Sequence, residues 1–287
     1  MVTKICNKTI WLQIYFRAVD KQHESLPLEA MKIERYIPGD MLKPFIKTFM
    51  IIESRDGMVS NILPDTSLVI AFRFRGTVTA MIEGQQHVMA PSVISGIRRS
   101  ARAMEYASDT ANLLIVFHEA GAAAFFREPL HELSDISLSL DTLMKGSELS
   151  VIEEQLAEAD DDLQLIRIAE KWMLLKLKAP AADQLVQHAI QTIRHTHGTI
   201  RMKDLAGSLY ISQDAFEKRF RRQAGASPKQ FSSIVRIKHL IDGYSQAKSL
   251  TDAALSAGYF DQAHFIKDFR AFTGKTPQDF FREGEYW

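Results

Sequence analysis

The polar residues with the clearest spacing for chemistry lie on two short segments in the last third of the chain. In the first, Phe216 and Phe220 share one helical face, and the opposite face carries a stripe at i, i+3, i+4 and i+7: Asp214, Glu217, Lys218 and Arg221. In the second, three phenylalanines (Phe265, Phe269, Phe272) oppose an outward stripe: Ala263, Ile266, Lys267 and Arg270. Side chains of an exposed helix can hydrogen-bond to base edges in the major groove of DNA. The stripes therefore indicate two candidate DNA-reading helices.

The two segments belong to an internal repeat. Five residues of the first copy recur 49 positions later: Phe216, Phe220, Gly225, Pro228 and Phe231 as Phe265, Phe269, Gly274, Pro277 and Phe280. Upstream, Asp204 and Ala206 match Asp252 and Ala254 at a spacing of 48, so one residue is gained in between. Two copies do not form a solenoid. The pattern predicts a duplicated supersecondary unit.

Each unit has the pattern of a helix, a turn and a second helix. The first unit begins with a short helix whose apolar stripe is Met202, Leu205, Ala206 and Leu209. Ser212 is a favourable N-cap for the second helix of this unit, and Gly225 is a favourable residue to end it. A short helix packed under an exposed basic helix is the helix-turn-helix arrangement. Residues 228–245 predict a connecting helix of about 18 residues, roughly 27 Å long. Two units at its ends can reach major-groove faces about 34 Å apart.

Residues 183–284 resemble the DNA-binding domain of the AraC/XylS family of bacterial transcription regulators. The resemblance is carried by residues 253–265 (AALSAGYFDQAHF), followed by Phe269 and by Gly274-Lys275-Thr276-Pro277. It implies seven helices, two of which are recognition helices. It also implies base contacts at seven positions: Asp214, Glu217, Lys218, Gln262, Ala263, His264 and Lys267. Four further basic residues are expected to contact phosphates and thereby position the protein: Arg219, Arg222, Arg270 and Lys275.

The first recognition helix departs from the expected chemistry. Asp214 and Glu217 are acidic where DNA phosphates repel, so they contribute only if they accept from a cytosine amine; otherwise they belong to a solvated face. In the second helix Gln262 suits adenine and Lys267 suits guanine or phosphate. His264 contacts a base or the backbone, or is a solvated surface histidine. The second helix is therefore the stronger candidate reader.

Composition excludes several classes of protein. The 287 residues are 46% hydrophobic and include 35 Lys/Arg and 35 Asp/Glu. Residues 183–287 contain 15 Lys/Arg and 11 Asp/Glu, so the net charge of this part is +4 and that of the remainder is −4. Disorder and fibrous structure do not fit these proportions. Because Cys6 is the single cysteine, an intramolecular disulfide and a cysteine-rich zinc site are excluded, which fits a cytoplasmic location. No apolar run reaches the length of a membrane span.

The pattern before residue 183 predicts an α+β protein. From about residue 58 to residue 117 the pattern is strand-like: short β-rich runs at 67–74, 76–82, 85–89 and 112–117, separated by turn formers, predict a β sandwich or small barrel. From Ser147 the period becomes helical, with a break at 160–162 and a stop at 179–182. We therefore divide the chain into four parts: a non-native or poorly ordered extension (1–30, with Met31 as the natural start), a β-rich sensor domain (31–146), a helical linker (147–182) and a double helix-turn-helix domain (183–287).

The β-rich part resembles, more loosely, the cupin-like sensor domain of some of these regulators, through Tyr36-Ile37-Pro38, residues 62–65, 117–121 and 130–133. Its histidines His87, His118 and His131 are scattered without cupin spacing, so we expect neither a metal nor another cofactor. Arg98, Arg99 and Arg102 either hold an anionic ligand or form a solvated edge. In the helical linker, an apolar stripe fits either a dimer seam or packing against the β domain: Ile166, Trp172 and Leu175.

The sequence therefore predicts a bacterial, non-enzymatic, sequence-specific regulator of transcription. Its N-terminal domain is expected to sense an unknown small molecule or partner and to modulate how the two helix-turn-helix units bind a promoter, with RNA polymerase as a further partner. Two alternatives stay open. The N-terminal domain either only dimerises or docks polymerase, or it carries cupin-type metal-dependent catalysis.

Overall fold

The computed structural model of this protein describes residues 3–4, 15–16, 31–178, 183–244 and 249–282. Several predictions fall outside these ranges and stay untested: the nature of most of the 1–30 extension, the helix stop at 179–182 and the predicted end of the connecting helix at Ser245. Of the extension, two short strands are described, and both pair with strands of the β-rich domain.

The N-terminal part contains twelve described strands. Their bounds, β1 to β12 in order, are Thr3–Lys4, Tyr15–Phe16, Met31–Ile37, Ile46–Ser54, Met58–Ile62, Val69–Arg75, Val78–Ile82, Gln85–Val88, Ser92–Ser95, Arg102–Tyr106, Thr110–Phe117 and Ser137–Ser139. They form two antiparallel sheets, one of seven strands in the order β1-β3-β4-β11-β6-β9-β12 and one of five in the order β2-β5-β10-β7-β8. The expected double-sheet architecture is confirmed.

The sequence pattern began the sheets too late, at residue 58, and so missed β3 and β4. The reason is visible in β4, which lies between β3 and β11 and is buried on both faces. A central strand of this kind has a nearly continuous apolar sequence instead of an alternating one, so its period cannot be distinguished from that of a buried helix.

Alternate residues of the central strands face two different environments. On β4, Phe49 and Ile51 belong to the main hydrophobic core, whereas Met50 and Ile52 line a cavity. The same alternation holds on β6, where Phe72 is in the core and Arg73 lines the cavity. The large sheet therefore packs against helices on one face and encloses space on the other.

Two helices cover the packed face of the large sheet: α1 (Gly146–Ala157) and α2 (Asp162–Lys176). Trp172 meets Phe72 edge to face at 5.3 Å between ring centroids, and Ile166 is fully buried in the same hydrophobic core. Leu175 is exposed. Two of the three residues of the predicted apolar stripe thus pack against the β domain, and Leu175 alone remains outward.

The C-terminal part contains seven helices within the described residues 183–244 and 249–282, as the family resemblance implies. They are α3 (Gln184–His195), α4 (Met202–Ser208), α5 (Gln213–Ala224), α6 (Pro228–Gly243), α7 (Leu250–Ser256), α8 (Gln262–Thr273) and α9 (Pro277–Arg282). The predicted cap and stop are confirmed: the Ser212 hydroxyl accepts from the Ala215 amide, and Gly225 ends α5 with φ 83°. The α6 helix is described from Pro228 to Gly243, a length of about 24 Å.

The change of repeat spacing has a definite position. Each turn contains one residue with positive φ, Tyr210 in the first unit and Gly258 in the second. The amide of the next residue donates to a carbonyl of the preceding helix: Ile211 to Ala206 in the first unit and Tyr259 to Ala254 in the second. One more residue, Phe260, then separates Tyr259 from the N-cap Asp261. The gained residue is therefore Phe260, in the second turn.

The helix-turn-helix units dock onto the β-rich domain. The Ala101 amide donates to the Phe272 carbonyl at the end of α8 (2.9 Å), and the end of α5 at Gly225 lies against Leu68 and Leu130. The hydrophobic core of the second unit is continuous with that of the N-terminal part, whereas the first unit has a core of its own. No described helix is both long and apolar enough to cross a membrane.

Candidate nucleic-acid interface and enclosed cavity

The first candidate recognition helix, α5, presents its N-terminal half to solvent. Asp214 and Lys218 are exposed, and the Glu217 carboxylate lies 3.9 Å from the Arg221 guanidinium. Phe216 and Phe220 are fully buried on the opposite face. The three predicted base-contacting residues of this unit thus share one accessible surface, in which the Glu217 charge is partly offset by Arg221.

The second candidate recognition helix, α8, begins at a well-capped N-terminus. The Asp261 carboxylate accepts from the His264 amide at 2.7 Å. Gln262, Ala263 and Lys267 are exposed, while the His264 ring lies 3.4 Å from the Asp268 carboxylate. Residues near the start of a recognition helix contact base edges, and these residues occupy that position on α8.

The predicted phosphate-contacting residues are placed differently from one another. Arg222 and Arg270 are exposed on α5 and α8, and Lys275 follows Gly274 at the end of α8. Arg219 is also accessible, but its Nε donates to Asp183 at 2.5 Å, the same carboxylate that caps α3. Arg219 therefore braces α5 against α3 in this arrangement.

Two exposed aromatic side chains escaped the sequence analysis. Phe260 is 94% exposed and Tyr210 is 96% exposed, each in the turn that leads to a recognition helix. The one-residue change of repeat spacing placed a gained residue between Ala254 and Phe265 but did not identify it as Phe260 or show its exposure. Apolar side chains at such positions can contact thymine methyl groups or sugars.

An enclosed cavity of about 170 Å³ lies between the two sheets. Its walls are mainly apolar and include Ile52, Val69 and Leu114. The cavity is closed on one side by the connecting helix α6, which contributes three residues: Lys238, Ile241 and Asp242. The helix that joins the two DNA-binding units is thus also part of the cavity wall.

A cluster of charged residues joins the domains beside the cavity. Lys238 of α6 donates to Asp65, and Arg194 of α3 pairs with Glu119, which also accepts from Thr66 at 2.8 Å. Burial alone would raise the pKa of Asp65, but the charges of Lys238 and Lys47 outweigh it and lower the pKa to about 2. The Asp65 carboxylate is therefore ionised and held between two ammonium groups at neutral pH.

The described histidines of the N-terminal domain are scattered, as their spacing in the sequence indicates. Among the described residues there is no group of three or more His, Cys, Asp or Glu side chains placed to hold an ion. The pKa of His118 is lowered by burial and by the neighbouring charges of Lys47 and Arg194, which keeps the ring neutral. A neutral ring at this edge of the charge cluster adds no further positive charge.

Comparison with known proteins finds two families. Residues 205–283 match the family described as a helix-turn-helix domain, and residues 34–139 match a domain of unknown function. An uncharacterized HTH-type transcriptional regulator of Staphylococcus aureus is 24% identical over 153 residues, or 53% of this chain. That match spans only 20% of the length of the Staphylococcus protein.

Other relatives extend over more of the chain. The HTH-type transcriptional activator RhaS of Escherichia fergusonii is 23% identical over 233 residues, which cover 73% of this chain and 82% of RhaS. The crystal structure of ToxT from Vibrio cholerae matches with a TM-score of 0.44 and 9% identity over 82% of this chain and 97% of ToxT.

Proposed function

We propose that this chain is a sequence-specific transcription regulator of the AraC/XylS type, which binds promoter DNA through both helix-turn-helix units; the helix-turn-helix family match and the similarity to RhaS support the proposal. The observation that carries the proposal is the placement of α5 and α8. Both helices bury their phenylalanines, dock their C-terminal ends on the β-rich domain and leave their N-terminal halves exposed. Those halves hold the seven residues proposed to contact bases.

The two units are proposed to read adjacent turns of one duplex. The connecting helix α6 has 16 residues and spans about 24 Å, and recognition helices at its ends can reach successive major grooves about 34 Å apart. One chain then contacts about two turns of DNA without a second copy. Dimerisation and contact with RNA polymerase, which activation would require, are further proposals; the outward Leu175 is the residue of the apolar stripe left for the former.

The cavity is proposed to receive a small-molecule effector. A ligand shifts a protein between two arrangements only by its difference in affinity for them. Because Lys238, Ile241 and Asp242 of α6 form part of the wall, a ligand in the cavity touches the same helix that sets the distance between the DNA-binding units. A cavity lined by apolar and polar groups supports effector binding over a filled barrel that serves only for dimerisation.

The proposal is tested by selection from random DNA duplexes with the full chain, in parallel with Lys267→Ala and Lys218→Ala. Two enriched blocks about one helical turn apart are expected. Each variant should relax preference in one block only, whereas Lys171→Ala, on the distant helix α2, should leave both blocks intact. Absence of any enriched sequence would contradict a role in promoter recognition and favour the reading as an interaction protein.

Cupin-type catalysis is tested separately by metal analysis of the purified chain. A stoichiometric metal that is needed for folding or turnover would overturn the non-enzymatic proposal. We expect full folding after treatment with a chelator, because the described residues provide no cluster of ligands.

A further inference from the structure

Two arginines in the cavity wall have guanidinium groups whose hydrogen-bonding capacity is not filled. Arg73 is on the cavity face of β6, and Arg98 lies just after β9. Arg73 Nη1 and Arg98 Nε are both buried and have no hydrogen-bond partner among the described residues. The sequence left open whether the arginines at 98–102 form a solvated edge; for Arg98 the structure contradicts that reading.

The surrounding groups do not neutralise Arg98. Asp135, the nearby carboxylate, is engaged by Arg99, whose Nε lies 3.1 Å from it and whose amide donates to it at 2.7 Å. Arg102 is bound to the Ser137 hydroxyl and the Asp135 carbonyl. No ion pair joins Arg98 to a carboxylate within the described part of the chain. Arg98 thus brings a positive charge to the cavity without an ion pair of its own among the described residues.

Burial and the like charge of Arg102 lower the pKa of Arg98 to about 10, against the smaller opposing effects of Tyr106 and Asp135, so the group stays protonated at pH 7. A buried charge without a partner destabilises a protein by several kcal/mol unless something else compensates it. The Arg98 backbone cannot move away easily, because the Ile97 carbonyl accepts from the Asp135 amide at 3.1 Å and Gly96 is in close contact with Leu133.

The acidic residues of the cavity do not balance its basic residues. Asp65 is already paired with Lys238 and interacts with the charge of Lys47, so it does not compensate Arg98. Burial raises the pKa of Asp242 to about 6, against the opposing effect of Lys238. The wall therefore sets three basic side chains, Arg73, Arg98 and Lys238, against these two carboxylates.

The size and lining of the cavity limit the ligand further. The volume of about 170 Å³ is similar to the roughly 150 Å³ of an apolar protein cavity that accepts benzene. Most of the wall is aliphatic, and the guanidinium fork is the geometry that carboxylates match best. We propose that the cavity binds a small organic monocarboxylate, with its apolar body between the sheets and its carboxylate on Arg98. This inference rests on the proposed function, because it names the effector class of the same cavity.

The test is thermal unfolding of the full chain with four carboxylates and their uncharged amides: benzoate, phenylacetate, hexanoate and octanoate against benzamide, phenylacetamide, hexanamide and octanamide. At least one acid should raise the melting temperature by several degrees, in proportion to the logarithm of its concentration, and its amide should not. Arg98→Met should weaken the binding of that acid at least tenfold. The control Arg55→Met, which removes an exposed arginine outside the cavity wall, should leave its binding unchanged.

Arg98→Met should also raise the melting temperature of the ligand-free chain, because it replaces an uncompensated charge by an apolar side chain. If this variant does not fold, Arg98→Lys, which keeps the charge and loses the fork, should weaken acid binding instead. Equal stabilisation by acids and amides, or none by any acid, would overturn the inference. Either result leaves the DNA selection unaffected, so failure of the effector class is distinguishable from failure of the DNA-binding proposal.

Discussion

At the scale of single residues, chemistry in this chain depends on whether a charge is exposed, paired or buried. Lys267 is exposed on the surface proposed to face DNA, Asp65 is buried and paired, and Asp242 is partly buried on the cavity wall. The same charge therefore contributes to recognition at one position and to stability at another.

Lys267→Ala is expected to lower DNA affinity by about 1–3 kcal/mol and to relax preference at one base position, as removal of a base contact does. Binding of sequence variants of the selected site, at fixed salt, measures both effects. A uniform loss across all sequences, with a smaller salt dependence, would instead assign Lys267 to phosphate.

Asp242→Asn is expected to stabilise the chain by about 1 kcal/mol at pH 7.5, a value that allows for solvent screening of this partly exposed group. Burial raises the folded-state pKa of Asp242 to about 6 from the ordinary 3.8. The stability contributed by the protonated carboxyl is fully present below about pH 4 and is lost as the pH rises through 6. Denaturant unfolding of both proteins at pH 3.5 and 7.5 measures the difference, which should vanish at the lower pH.

At the scale of elements, the recognition helices are stabilised by aromatic side chains on their inner faces. Phe269 on α8 is fully buried and contacts Phe265, Phe280 and Phe281 at 5.1 to 5.6 Å between ring centroids. These contacts fix the roll of α8, and hence which residues it presents outward.

Phe269→Ala is expected to reduce the free energy of unfolding by about 3–5 kcal/mol, as truncation of a core aromatic does. Phe260→Ala, in the turn just before the same helix, is the matched control: that ring is 94% exposed, so stability should not change. Denaturant unfolding compares the two. Equal stability of Phe269→Ala and the parent would show that Phe269 is not on the buried face of α8.

At the scale of the whole molecule, ion pairs hold the DNA-binding units against the β-rich domain. Asp65 with Lys238 and Glu119 with Arg194 join residues far apart in the chain. Asp65→Asn is expected to lower the free energy of unfolding by about 1–3 kcal/mol at pH 7, because Lys238 loses its charged acceptor. The contribution of Asp65 is present above its ordinary pKa of 3.8 and is lost as the pH falls towards 2.

The double variant Asp65→Asn/Glu119→Gln is expected to loosen the docking itself. Small-angle scattering should show a larger radius of gyration, and DNA affinity should change without any substitution on α5 or α8. Glu148→Gln is the control, because Glu148 pairs with Lys176 inside the N-terminal part. An unchanged radius in the double variant would mean that apolar contacts alone hold the domains together.

The amino-acid sequence by itself determined the two helix-turn-helix units, their caps at Ser212 and Gly225, and which faces of α5 and α8 are buried. These features follow from local periodicity and turn chemistry, which a helix of 12 residues contains within itself. The placement of a gained residue between the copies was also readable, although the exposure of Phe260 was not.

The tertiary structure alone decided the rest. The cavity exists because strands distant in sequence place alternate side chains on one side of a sheet, and the chain segment at Arg98 gives no local sign that it borders that space. The Lys238–Asp65 pair joins residues 173 positions apart. Such contacts depend on how folded elements pack together, and periodicity within an element carries no information about its partners.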